Sequence, residues 1–334
     1  MREMQMKALV TGATGFIGSH VAAALLRRGY RVRALVREGC DRRNIAGLEV
    51  EVAMGDLRDR ASLVRALTGC DVLFHVAAAY TFWAPEPRLI YDTNVQGTEN
   101  VLTAAQDAGV ERIVYTSTES TVGIGSDGCL GTEAATVDPA HLAGDYKRSK
   151  YLAERLALQL CSEGLPLVVV NPTTPVGPGD VKPTPTGQII VDLMRRRMPA
   201  YVNTGLNLVD VEDVATGHVL ALERGRVGER YILGNRNLTL QGIFGMLERI
   251  TGLRAPRLRL PLWMALGAGY VSQFAADRLT HRPPRIPLAA VRVARHFRYF
   301  DCSKAVRELG LPQTPVEQAL AKAVCWFREN GYAG

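Results

Sequence analysis

Near its N-terminus the chain reads KALVTGATGFIGSHVAAALLRRG: an apolar strand-like run, Lys7–Thr11, then glycines at 12, 15 and 18, then a helical pattern that Gly29 stops. No other feature constrains the fold as strongly. Gly12 permits a tight turn off the strand, Gly15 lets a phosphate approach the backbone, and Gly18 lets helix and strand pack closely. The helix start then offers free N–H groups and a positive dipole end to an anion. The spacing is Gly-x-x-Gly-x-x-Gly, so Thr14, Phe16 and Ile17 complete a turn suited to a dinucleotide pyrophosphate. A bare glycine triplet also occurs in structural turns. The strand before and the helix after favour the cofactor reading.

The next strand-like runs are YRVRALVR, LEVEVAMGDL, DVLFHVAA (71–78), RIVYTST (112–118) and LPLVVVNP. They alternate with helical patterns in ASLVRALTG, NVQGTENVLTAAQDAG and 145–163. This predicts an α/β fold with a doubly wound parallel Rossmann sheet. After Pro172 the texture changes. TTPVGPGDVKPTPTG reads as a long loop at the mouth of a site, followed by a smaller mixed α/β C-terminal substrate lobe. The expected division is a dinucleotide-binding domain over 1–175, to which 205–234 returns, and a substrate lobe over 176–204 and 235–334.

With 334 residues, 47% hydrophobic and 22% charged, the chain has the composition of a soluble globular protein. Six scattered cysteines without Cys-x-x-Cys argue against a disulfide framework or a metal site and fit a reducing cytoplasm. No signal peptide precedes Lys7, and no run approaches the ~20 apolar residues of a membrane span. The net charge of +7 is unevenly placed. Residues 251–300 hold nine arginines and one acid, Asp277, leaving the remainder close to neutral. Within this stretch PLWMALGAGYVSQFAADRL is nearly all apolar or small. It reads as a buried helix of the substrate lobe with a basic surface; the alternative is a face, within 254–298, that makes peripheral membrane contact or admits a greasy substrate. Nucleic acid is not expected as a partner, since no module signature accompanies the charge.

The second strand ends at Val36–Arg37, where NAD-specific sites usually place a carboxylate for the ribose 2′-OH. A guanidinium there can grip a 2′-phosphate bidentately, so NADP(H) is the preferred cofactor, with NAD(H) as the alternative. Arg42 and Arg43 could assist, or stand as solvated loop charges. Asp56 and Leu57 would flank the adenine, Asp56 with a competing role as a helix N-cap. Ala77, Ala78 and Ala79 are small enough for a cofactor to lie against backbone. His75 reads as packed inside its strand.

Tyr146 and Lys150, in GDYKRSKYLAE, stand one helical turn apart. A phenol with an ordinary pKa of ~10 becomes a useful acid or base near neutrality if a cation stabilises its phenolate. Thr118, in VYTSTES, precedes this pair; Ser117 is its rival, turned to the other strand face.

Taken in this order, these residues resemble the extended short-chain dehydrogenase/reductase family, over nearly the whole chain. The segments HVAAAYTFWA, YKRSKYLAE, NPTTPVGPGDVKPTPTGQIIVD, RMPAYVNTGLNLVDVEDVATGH and GERYILGN are most similar to the hopanoid-associated sugar epimerase and dihydroflavonol reductase-like subgroup. The resemblance implies a catalytic triad of Thr118, Tyr146 and Lys150, with Tyr146 exchanging a proton with the substrate oxygen and Lys150 also binding the nicotinamide ribose. It implies that Asn94 supports the site, that Thr116, Asn171, Pro172 and Thr173 lie by the nicotinamide, and that Tyr80, Trp83, Thr118 and Lys182 meet substrate. It also implies a homodimer through the helices of Asn94 and Tyr146. Epimerases and reductases share this triad. Sugar-nucleotide epimerases commonly carry an arginine where this chain reads Leu206-Asn207-Leu208, although Arg236 or Arg254 could compensate. With Arg37 and the aromatic segments 80–83 and 261–270, this favours a reductase acting on a hydrophobic substrate, a hopanoid-linked one among the candidates, over a nucleotide-sugar epimerase.

Overall fold

Central strands buried on both faces build the core of this computed structural model, which describes residues 5–81, 83–124, 129–280, 282–284 and 286–333. Its strands are β1 (Lys7–Thr11), β2 (Arg31–Val36), β3 (Glu51–Met54), β4 (Val72–His75), β5 (Arg112–Thr116), β6 (Leu167–Pro172), β7 (Thr174–Val176), β8 (Ala200–Val202), β9 (Gly205–Asp210), β10 (Arg230–Leu233), β11 (Arg236–Thr239) and β12 (Leu258–Leu260). The helices are α1 (Phe16–Arg27), α2 (Arg60–Leu67), α3 (Arg88–Tyr91), α4 (Gly97–Asp107), α5 (Asp145–Ser162), α6 (Pro185–Met194), α7 (Val211–Arg224), α8 (Leu240–Thr251), α9 (Leu262–Ala275), α10 (Leu288–Val293) and α11 (Val316–Glu329).

The main sheet has seven parallel strands in the order β10-β6-β5-β4-β1-β2-β3. Leu9, Leu35, Leu73, Ile113 and Leu167 face one side, against α2, α4 and α5. Val10, Val36, Phe74, Val114 and Val168 face the other, against α1 and α7. A slip of one residue would exchange the two sets. Each fully buried aliphatic side chain contributes roughly 1.5–3 kcal/mol, so the register is held firmly. Strand order reverses between β1 and β4, and at such a switch point a crevice opens at the carboxyl ends of the strands.

The predicted doubly wound sheet is present. The smaller lobe packs α6, α8 and α11 around Leu208, Phe244 and Phe327, with a three-stranded sheet β11-β9-β7 and a two-stranded sheet β12-β8. Three local differences from expectation have physical causes. The proline-rich run is not all loop: Thr174–Val176 pairs with β9, and Pro185 opens α6, where its missing N–H costs nothing. Of the returning segment, β10 joins the main sheet while β9 pairs in the small one. The helix read as buried, α9, lies at the surface with its large side chains outward.

Candidate active site

At the switch point Gly12 turns with φ +72°, and a Cβ there would stand 2.7 Å from the amide nitrogen of Ala77 at the end of β4. A Cβ on Gly18 would lie 2.1 Å from the carbonyl oxygen of Gly12, so turn and helix can close only on glycine. Gly15 differs: its Cβ would meet only that carbonyl, at 3.2 Å. Gly15 caps α1 without a side-chain bond, and the first turn holds no acid. Phe16 and Ile17 continue this turn, which is a fitting cradle for a dinucleotide pyrophosphate. Two side chains that the sequence did not single out close over it. Asn44 donates to the carbonyls of Thr14 (3.3 Å) and Gly179 (3.0 Å), and His20 lies 2.9 Å from the carbonyl of Pro178.

Arg37 is exposed just past β2, within electrostatic reach of Asp56. Asp56 is gripped by Arg58 through two contacts of 3.0 Å, and this guanidinium holds its carboxyl below the usual range. Asp56 does not cap α2; Asp59 does, accepting from Ala61 and Ser62. Leu57 is buried, and its carbonyl accepts from Asn100. Arg43 pairs with Asp41, and Arg42 reaches Met54. His75 is packed as expected, bonded to Thr11 (2.8 Å) and Thr98 (3.0 Å), and burial lowers it to about 3.

Asn94 sits in one π-helical turn, Asp92–Gln96, leading into α4. Its side chain accepts from the N–H of Ala79 (2.7 Å) and donates to that residue's carbonyl (3.2 Å) and to Ser149 (2.9 Å). Ser149 in turn donates to the carbonyl of Tyr146. One amide thereby fixes the Ala77–Ala78–Ala79 segment relative to the helix carrying the tyrosine.

Tyr146 meets the edge of the Tyr80 ring at a centroid distance of 4.7 Å and hydrogen-bonds Thr118. Burial raises its phenol above the ordinary value; the neighbouring phenols of Tyr80 and Tyr115 add to this, and the Thr118 bond opposes it. Tyr80 itself stays half-exposed. Lys150 is buried and donates to the Tyr115 hydroxyl (3.0 Å) and the Thr116 carbonyl (2.8 Å); burial lowers it to about 8. Its ammonium is thus bound to Tyr115, which the sequence reading overlooked, and the Tyr146 phenol is held up rather than lowered. The Thr116 hydroxyl points away, to His218 (2.9 Å).

Thr118 also donates to the Glu119 carboxylate at 2.9 Å. Glu119 pairs with the partly buried Arg298, which also donates to Ser120 (3.0 Å). Ser117 turns instead to Thr121. Asn171 supports this loop from below, its amide nitrogen 3.0 Å from the Thr118 carbonyl and 2.9 Å from Glu154. Pro172 ends β6, and Thr173 bonds Asn207 (2.9 Å). Asn207 is buried in an amide network with Asn235 and Asn237. Of the expected substrate contacts, Tyr80 lies on Tyr146, and Trp83 donates to Asp277 at 2.8 Å. Lys182 is exposed, near Asp41 rather than in the tyrosine cluster. Phe82, His281 and Arg285, which fall in segments singled out above, lie outside the described residues. No group of acids, histidines and cysteines that could hold a metal occurs among the described residues.

Residues 8–234, which contain the cradle and the tyrosine cluster, match the model of the NAD dependent epimerase/dehydratase family. The chain belongs to that family. Members of it are nicotinamide-dependent enzymes acting on small molecules, and this chain is an enzyme of the extended short-chain dehydrogenase/reductase type. A Synechocystis sp. protein provisionally named dihydroflavonol 4-reductase is 48% identical over 327 residues, covering 97% of this chain and 95% of that one. Sterol demethylase protein B of Methylococcus capsulatus is 38% identical over 327 residues, covering 98% and 99%. The crystal structure of gox2253 superposes with a TM-score of 0.88 at 45% identity, covering 99% and 100%. The family, its cofactor class and the Rossmann sheet therefore stand as the sequence resemblance implied.

Proposed function

We propose that this family member is an NADP(H)-dependent oxidoreductase that interconverts a carbonyl and a hydroxyl on a hydrophobic, polycyclic or lipid-linked substrate. The observation that carries this reading is β9. Its Leu206-Asn207-Leu208 offers no cation, and Asn207 is committed to buried amide bonds. Arg236 and Arg254 are exposed. A nucleotide diphosphate would find no charged partner on this strand, whereas Tyr80 and Trp83 line the mouth with aromatic surface. The relative named sterol demethylase protein B is compatible with such a substrate, and a hopanoid-linked carbonyl is the finer form of the proposal.

The glycine turn, Thr14, Arg37 and Lys150 would hold the cofactor, with Arg37 on the 2′-phosphate. Nicotinamide supplies the hydride when bound. Tyr146 supplies the proton: burial keeps its phenol protonated at neutral pH, and Thr118 fixes its oxygen. Glu119 and Arg298 position Thr118, and Asn94 with Ser149 positions Tyr146. The subunit would act in the cytoplasm as a homodimer through the outer faces of α4 and α5, where Leu152 is exposed beside Val95 and Leu156. The second reading, a redox-neutral nucleotide-sugar epimerase on the same residues, is favoured by the family's own description. A spectrophotometric assay of NADPH oxidation separates them. Net consumption with steroid or triterpenoid ketones supports the proposal. Conversion of nucleotide sugars without net consumption, and no activity on the ketones, would overturn it.

A further inference from the structure

The amphipathic order of α9 is inverted. Ala265 and Gly269 are buried, with Gly269 close to Leu288 and Val291 of α10. The large side chains face outward: Trp263 is 72% exposed, Val271 71%, Phe274 64% and Tyr270 54%. No residue of this helix is charged. Positions 263, 267, 270, 271 and 274 fall on one side of a helix, so these residues form a continuous apolar stripe, and Leu279, 73% exposed, extends it. Monomeric surfaces rarely leave such a stripe uncovered.

Cations border it. Arg292 lies 5.7 Å from the centroid of the Tyr270 ring and donates to its hydroxyl at 3.1 Å. Arg278 follows Phe274 by four residues, and Arg254, Arg257, Arg282 and Arg295 are also exposed. Among the described residues none of these six guanidiniums is in a salt bridge.

We propose that α9 and its arginine border dock this enzyme on the surface of an anionic lipid bilayer, the apolar stripe lying at the headgroup boundary and the guanidiniums on lipid phosphates. A helix of 14 residues is ~21 Å long, short of the ~30 Å hydrocarbon core, so it lies in the interface plane. No helix among the described residues is long and apolar enough to cross a membrane. Charge selects the occupant. A second copy docked through the same face would set arginine against arginine, whereas anionic phosphates complement it.

The docked face adjoins the cleft. Asp277, the single acid of the stretch, accepts from the Trp83 indole at 2.8 Å and from Gln273 at 3.0 Å. It thereby ties the end of α9 to the loop that carries Tyr80 onto Tyr146. Passage of substrate from bilayer to cleft rests on the proposed function; docking itself does not.

The test is co-sedimentation of the purified full chain with phosphatidylcholine vesicles, with and without phosphatidylglycerol. Binding to the phosphatidylglycerol vesicles, weakened by salt, is expected. Trp263→Ser/Val271→Ser/Phe274→Ser should abolish it. Arg278→Ala/Arg282→Ala/Arg292→Ala should weaken it by roughly 100-fold, at about fivefold per arginine. NADPH binding, unchanged in both variants, confirms that they fold. Absence of vesicle binding, or variants that bind like the parent, would overturn the proposal. So would a concentration-dependent dimer that the serine variant abolishes. Sedimentation needs no turnover, so an enzyme inactive on ketones leaves this result standing, and the reverse also holds.

Discussion

Replacing Asn94 by alanine removes three contacts at once, at 2.7 and 3.2 Å to the half-buried Ala79 and 2.9 Å to the buried Ser149. Ser149 keeps its bond to the Tyr146 carbonyl, so the groups left without partners are the N–H and carbonyl of Ala79. An unsatisfied buried polar group costs roughly 1–3 kcal/mol. Ala79 is only half-buried, so water recovers part of this, and about 2–3 kcal/mol is expected in total. A chain of this length unfolds with an entropy of ~0.7 kcal/mol per kelvin, so Tm should fall by about 3–4 °C in a calorimetric scan. The kinetic loss should be larger than stability alone explains. Freeing Ala79 releases Tyr80 from its place against Tyr146, and kcat/KM should fall by about tenfold or more at a temperature where the variant is fully folded. Unchanged Tm and turnover would refute the view that this amide is the strut between β4 and α5.

Gly15→Ala and Gly18→Ala should separate two roles of one turn. The first makes one tight contact with the Gly12 carbonyl and should lower Tm only slightly while losing NADPH binding; the second clashes with that carbonyl and should lose both, as thermal scans with and without cofactor would reveal. Arg37→Glu should raise the Kd for NADPH by roughly 10- to 100-fold, since a charge-assisted bond is worth about 1.5–3 kcal/mol, and should change NADH binding much less; equal weakening would exclude a 2′-phosphate contact. Lys150, lowered by burial to about 8 from an ordinary 10.5, loses its charge in the folded state before the unfolded state does. Between those pH values the unfolded chain binds more protons, so this group's contribution to stability rises with pH, while reduction should slow as the ammonium is lost. Lys150→Arg keeps the charge, and its pH profile of kcat/KM should lack that falling limb.

The glycine turn, the six strands that precede β7 and the Tyr146/Lys150 spacing were legible because each is local: a short apolar run, a period of 3.6, or one helical turn. What supports the site was not. Arg298 meets Glu119 across the whole second half of the chain, and nothing in FRYFDC marks it as a partner of the residue after Thr118. Asn44 and His20 reach the proline-rich loop only once the sheet has folded. Tyr115 was visible in the strand beside Thr116, yet only the structure puts the Lys150 ammonium against it. The misreading of α9 is the most instructive. Its apolar composition predicted burial, but Ala265 and Gly269 make the close contact with α10, leaving the larger residues outside. Composition reports how much apolar surface a helix has; only the position of its small residues told which side packs.

The fate of the hydride tests the central claim most directly. With NADPH deuterated at nicotinamide C4 and a steroid or triterpenoid ketone as substrate, the account predicts deuterium on the carbinol carbon of the released alcohol, one NADP+ formed per product, and loss of both in Tyr146→Phe with NADPH binding retained. Unlabelled product from a nucleotide sugar, with no NADP+ formed and no reaction of the ketone, would contradict it.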